Sequence, residues 1–136
     1  MNNLFVYGTL RNGRINNFLP QIAPFLKTKS KGFVKGKLFN AGEFPAAKPT
    51  SLSSKKVYGD LVEINPGKIS DVLQILDEYE EVDIANPKNS LFKRDIVNVV
   101  TNNGDKVQAW IYWYNKDVDG LNEIRDGIYR KRKSVY

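Results

Sequence analysis

The stretch FVYGTLR, residues 5–11, runs an apolar segment straight into a Tyr-Gly-Thr-Leu-Arg corner. Asn3 to Tyr7 reads as a short strand, with Phe5 and Tyr7 on one face and Leu4 and Val6 on the other. A strand breaking into a glycine corner has the outline of a phosphate cradle. This corner has no second close glycine and no Gly-Lys-Ser/Thr ending, so a nucleoside triphosphate fits it poorly. Two readings remain: an ordinary strand-ending turn, or a small nest of backbone N–H groups for a lesser anion.

Working outward, Arg14 to Leu26 is ambiguous, because Pro20 and Pro24 interrupt any helix. Gly32 to Phe39 is a second strand, leading into the turn chemistry of Asn40-Ala41-Gly42-Glu43-Phe44-Pro45. Val57 to Ile64 is a third, with Gly59 marking a bulge or a close backbone approach. Asn65 caps a helix that has Pro66 in its first turn and an apolar stripe at Ile69, Val72, Leu73 and Leu76. Leu91 to Thr101 and Lys106 to Tyr114 are strands joined by the hairpin signal Asn102-Asn103-Gly104-Asp105. The segment from Asn115 is expected to pack outside the sheet. Strands, one helix, then a hairpin predict an α+β fold with a mixed, strongly curved or barrel-like sheet and few helices.

The absences in the composition narrow the chemistry. The chain has no cysteine and no histidine, hence no thiol nucleophile, imidazole base, disulfide or ordinary zinc site. Proton transfer near neutral pH then falls to a carboxylate, Tyr or Lys with a shifted pKa. No metal or cofactor is expected. No apolar run suits a membrane span, and the start lacks the pattern of a secretory signal, so a cytoplasmic location is expected. The 136 residues suit a single domain, 1–136, with a basic tail from about residue 129. Much of the net charge of +6 lies in that tail, which reads as a solvated terminus more readily than as a nucleic-acid arm. Oligomeric state is left open.

Leu76-Asp77-Glu78-Tyr79-Glu80-Glu81-Val82-Asp83 ends the helix with five acids in eight residues, against the helix dipole. At about 100° per residue, Glu78 points roughly opposite Ile69 and Glu81 lies about 120° around, whereas Glu80 returns to within about 20° of it. Glu80 thus falls on the buried stripe, with Asp77 at its edge. Either the helix has frayed by Glu80 and the side chain reaches water, or Glu80 points into a cleft. In a cleft, desolvation would raise its pKa toward neutrality and make it a general base.

In order along residues 4 to about 114, these motifs resemble the γ-glutamyl cyclotransferase-like family, including its γ-glutamylamine cyclotransferase and AIG2-like branch. Tyr7-Gly8-Thr9-Leu10 is similar to the family's Tyr-Gly-Ser/Thr-Leu loop, and Leu76-Asp77-Glu78-Tyr79-Glu80 to its Leu-Asp-x-x-Glu helix end. The turn at Phe39 to Pro45, Val57-Tyr58-Gly59-Asp60-Leu61, Phe92-Lys93-Arg94 and Ala109-Trp110-Ile111-Tyr112 complete the likeness. Three positions differ: Glu81 stands for a glycine, Phe92 for a tyrosine and Asp60 for a glutamate.

The resemblance implies an intramolecular acyl transfer that turns a γ-glutamyl amine or γ-glutamyl amino acid into 5-oxoproline and a free amine. Glu80 is the implied catalytic acid/base. Tyr7, Gly8, Thr9 and Leu10 are the implied seat of the substrate's α-carboxylate or of the oxyanion at its γ-carbon. Arg94 and Tyr112 are further candidates for substrate contact. Arg94 fits equally as a partner for a carboxylate in the cavity or as an edge charge in a solvated ladder. Tyr112 and Trp110 share one strand face and fit core packing, with a Tyr hydroxyl at a pocket rim as the other possibility. Asn16 reads as structural. The competing reading is a non-catalytic module that binds a small carboxylate on the same fold.

Overall fold

The computed structural model describes residues 1–8 and 19–130; Thr9, Leu10, Arg11, Asn16 and the tail from residue 131 lie outside the described residues. The strands are β1 (Asn3–Val6), β2 (Leu26–Asn40), β3 (Pro45–Pro49), β4 (Lys56–Ile64), β5 (Phe92–Thr101), β6 (Lys106–Tyr114) and β7 (Asn122–Glu123). Among the described residues one α-helix, α1 (Ile69–Tyr79), follows β4.

Five strands close into a barrel. The order β2-β4-β1-β6-β5 returns to β2 through Gly32↔Thr101 and Phe33↔Val100. The sheet is mixed because β1 runs parallel to β6, while the other pairs are antiparallel. The fifteen residues of β2 would extend about 50 Å, too long for one side of a small barrel. It breaks register between Thr28 and Ser30, then overhangs the barrel, where Gly36 to Asn40 pair with β3.

The alternation read in β1 divides the core in two. Phe5 and Tyr7 join Val34, Leu38, Leu61, Ile111 and Trp113 inside the barrel. Leu4 and Val6 join Val62, Ile64, Val72, Leu73 and Leu76, where α1 covers the outer wall. At the start of that helix region Asn65 Oδ1 accepts the Gly67 N–H at 3.0 Å; Pro66–Lys68 forms a 3-10 turn and α1 proper begins at Ile69.

Two elements depart from expectation. The chain after Asn115 does not stay outside the sheet: Asn122–Glu123 pairs with Phe39 and Asn40 of β2, and Tyr129 is buried in the barrel core. The overhang of β2 supplies the reason, since its backbone groups need partners beyond the barrel rim. β3 is also new. Its Ala46 and Ala47 are fully buried, but with Pro45 and Pro49 at its ends it carries no strand-like pattern. Among the described residues no helix is long and apolar enough to cross a membrane.

Gly59 marks a close backbone approach: a Cβ there would lie 2.2 Å from the Val6 carbonyl oxygen of β1. Gly59→Ala is expected to push β1 off β4 and cost about 1–3 kcal/mol, read as a lowered melting temperature.

Candidate active site

Helix α1 does not fray before Glu80. The Glu80 N–H still reaches the Leu76 carbonyl at 2.8 Å. The next residue, Glu81, turns into the left-handed region at φ 55°. Its N–H bonds to Glu78 O at 3.2 Å, and the Val82 N–H bonds to Asp77 O at 2.9 Å. This is the paired hydrogen-bond pattern of a Schellman cap, with glutamate at the position that glycine usually takes. Glu81 O also accepts the Leu91 N–H at 3.0 Å, tying the helix end to the segment before β5.

Beside this helix end lies a cavity of about 380 Å³. Leu4, Val6, Tyr7 and Gly8 of the β1 segment form one side, and Leu76, Glu80 and Glu81 another. Glu43, Phe44 and Pro45 contribute from the β2–β3 turn, with Phe92 and Tyr112 from β5 and β6. Phe44 is held by edge contacts to Phe92, with ring centroids 5.7 Å apart, and by Tyr114 at 6.1 Å. A Cβ on Gly8 would lie 2.7 Å from Pro45 Cγ, so the small residue lets the turn close over the end of β1.

Glu80 is half-buried, and its carboxyl is pushed up to about 7. Desolvation is the larger cause and the neighbouring charge of Glu81 the smaller. The Glu80 charge is felt by two buried tyrosines. The Tyr7 hydroxyl is raised well above its usual value, first by burial and then by Glu80. Tyr112 is raised by burial, then by its bond to Asp77, with Glu80 adding to it. Both phenols are therefore neutral donors across the physiological range. The Tyr7 hydroxyl donates to the Tyr112 carbonyl, and the Tyr112 hydroxyl donates to Asp77 Oδ1 at 2.6 Å.

Asp77 is the hub. Arg94 Nε donates to its Oδ1 at 2.9 Å and Nη2 to its Oδ2 at 3.2 Å, a bidentate pair. The guanidinium lies 4.7 Å from the Trp110 ring. Arg94 thus pairs with a carboxylate, but one that belongs to the protein, and it is not among the residues lining the cavity. The structure brings Tyr7, Gly8, Glu80 and Tyr112 together at the cavity and places Arg94 behind them. Sequence reasoning did not place the β2–β3 turn at the cavity or Asp77 at its support. The position of Asp77 at the edge of the apolar stripe was the available signal.

A barrel with one desolvated carboxylate at a cavity between β1 and a helix end defines a class, and similarity identifies it. Residues 4–131 match the family described as Gamma-glutamyl cyclotransferase, AIG2-like, and the chain belongs to that family. It is 33% identical over 118 residues to the Gamma-L-glutamyl-butirosin B gamma-glutamyl cyclotransferase of Niallia circulans, covering 86% of this chain and 69% of that one. It is 27% identical over 134 residues to Gamma-glutamylaminecyclotransferase A of Danio rerio, covering 93% of this chain and 78% of that one. The crystal structure of an AIG2-like protein from Mus musculus superposes with a TM-score of 0.71 at 21% identity, covering 100% of this chain and 98% of that one. That likeness speaks for the fold alone. YkqA from Bacillus subtilis gives 0.68 at 25% identity; the chain spans 94% of its own length but only 39% of that longer protein.

Removing Arg94 leaves the Asp77 carboxylate buried without its cation. Arg94→Met is expected to cost about 3 kcal/mol in denaturant unfolding. The Glu80 shift has the opposite thermodynamic sense. Its folded pKa lies above the usual 4.5, so its ionisation weakens the fold as pH rises from 4.5 through about 7. Glu80→Gln is therefore expected to be more stable than wild type above pH 7, by up to about 3 kcal/mol. That advantage should vanish on acidification, which urea melts across the range will read.

Proposed function

We propose that this chain is a γ-glutamyl cyclotransferase that converts a γ-glutamyl amine to 5-oxoproline and the free amine, with Glu80 as the acid/base. The observation that carries this reading is the Glu80 carboxyl in the wall of a cavity of about 380 Å³, where burial pushes it up to about 7. A group with that pKa takes and returns a proton at neutral pH with little loss in either direction.

The reaction asks little else of the protein. The substrate's own α-amine attacks its γ-carbonyl, so the nucleophile arrives tethered, and the cavity has to fold the glutamyl chain into an attack conformer. Glu80 removes a proton from the α-ammonium. The amine nitrogen bonds to the γ-carbon and gives up its second proton to solvent as it becomes the lactam N–H, the bond to the leaving nitrogen breaks, and Glu80 returns its proton to that nitrogen. We assign the backbone of the Tyr7-Gly8-Thr9-Leu10 corner to the α-carboxylate or the oxyanion at the γ-carbon. Tyr112 and Arg94 serve through Asp77, fixing the turn of α1 from which Glu80 projects.

Purified protein incubated with a panel of γ-glutamyl amines, γ-glutamyl amino acids and glutathione is expected to release 5-oxoproline, detected by mass spectrometry. kcat/KM should rise with pH as Glu80 ionises around 7. Glu80→Gln should lower turnover by about 10³-fold while remaining folded. Retained turnover in that variant would remove Glu80 from its role. No release from any member, with a glutamyl compound still bound, would favour a non-catalytic binding module.

A further inference from the structure

Glu81 stands where a glutamate gains least for the fold. Among the described residues it is the one non-glycine residue with a positive φ, in a cap position that glycine takes without strain. Its charge lies at the C-terminal end of α1, against the helix dipole. Its carboxyl makes no ion pair and no hydrogen bond within the described residues. The capping is done by backbone alone, through the N–H groups of Glu81 and Val82 and the Glu81 carbonyl on Leu91. Neither the cap nor the packing therefore asks for this side chain.

What the side chain does have is a place beside Glu80, in the wall of the same cavity. The Glu80 carboxyl responds first to burial and then to the Glu81 charge. The other groups set around it are either neutral near pH 7 or balanced. Tyr7, just past β1, and Tyr112 of β6 keep their protons. Asp77, one turn earlier on α1, is paired with Arg94 of β5. Glu43 of the β2–β3 turn lines the cavity but is not a cause of the Glu80 shift.

We propose that Glu81 is a positioning residue for the acid/base, kept at the strained cap so that its negative charge holds the Glu80 proton to higher pH than a glycine there would. This rests on the cyclotransferase reading, in which Glu80 has to carry a proton to the leaving nitrogen. A neighbouring carboxylate disfavours the ionised form of Glu80 and leaves the protonated form unaffected. Because Glu81 is exposed, water and salt screen its charge, so its effect is a fraction of a pH unit. Burial sets the coarse position of the Glu80 titration, and Glu81 sets the fine one.

The test follows the Glu80 side-chain carboxyl by carbon-13 NMR titration, which needs no substrate. In wild type the midpoint is expected at about 7. Glu81→Gln and Glu81→Gly are each expected to lower it by about half a pH unit, and added salt should narrow the difference. Glu43→Gln should leave it in place. Glu81→Gly should also melt above Glu81→Gln, since only glycine relieves the left-handed backbone. With a γ-glutamyl substrate, the acid limb of kcat/KM should move with the midpoint, making both Glu81 variants roughly 2-fold faster than wild type at pH 6. A midpoint unmoved in Glu81→Gln, or moved as far by Glu43→Gln, would overturn the inference. So would an acid limb that stays in place while the midpoint moves, or Glu81→Gly melting no higher than Glu81→Gln. If no γ-glutamyl compound is turned over, the cyclotransferase reading fails on its own, and the titration still decides whether Glu81 governs the Glu80 proton.

Discussion

The site depends on the carboxylate of Asp77. It is buried at the end of α1, and an unpaired charge there would be costly to the fold. Arg94 from β5 satisfies both of its oxygens, and Tyr112 from β6 adds a third donor. Because Arg94 and Tyr112 are direct neighbours across the β5–β6 ladder, the two donors reach Asp77 from one rigid surface. The last turn of α1 is thereby fixed in both position and rotation on the barrel wall. Glu80 follows three residues later, so its carboxyl inherits that rotation.

Holding Glu80 in place runs against its own preference. A carboxylate that titrates at about 7 prefers water to its folded surroundings, and the adjacent Glu81 repels it further. The left-handed backbone at Glu81 adds strain that glycine would not. These unfavourable contributions gather at one helix end, where they are held by the Asp77 clamp and the cap hydrogen bonds to Glu78 and Asp77. Local strain that persists only because its surroundings over-determine it is typical of functional positions.

The parts legible in the sequence were those set by short-range periodicity. The two faces read in β1 are the ones that enter the inner and the outer core, and the helical projection put Glu80 in line with Leu73 and Leu76. Gly59 announced the close approach of β1. Closure of the barrel was less accessible, because it rests on two residue pairs between β2 and β5 that no local pattern encodes. The start of β2 hid among lysines, since Lys27, Lys29 and Lys31 face solvent and break any apolar alternation. β3 and β7 form only because β2 overruns the barrel rim, a tertiary circumstance. Arg94 had an ambiguous environment for a related reason: its partner is seventeen positions away, across a loop. Resemblance to a family supplied a role for the carboxylate. Geometry then showed why Glu80 differs from its acidic neighbours, since Asp77 is paired while Glu78 and Glu81 reach solvent.

The composition and the proposed reaction fit together on one physical point. Intermolecular acyl transfer commonly recruits a side-chain nucleophile with an activating base, and this chain has neither cysteine nor histidine. Ring closure by a tethered amine removes the need for both. What remains is a proton moved from the attacking nitrogen to the leaving nitrogen, with the ammonium's other proton lost to solvent, and a single carboxyl can manage that transfer when its pKa lies near the working pH. The barrel provides that pKa through burial. The helix end provides the direction of the carboxyl.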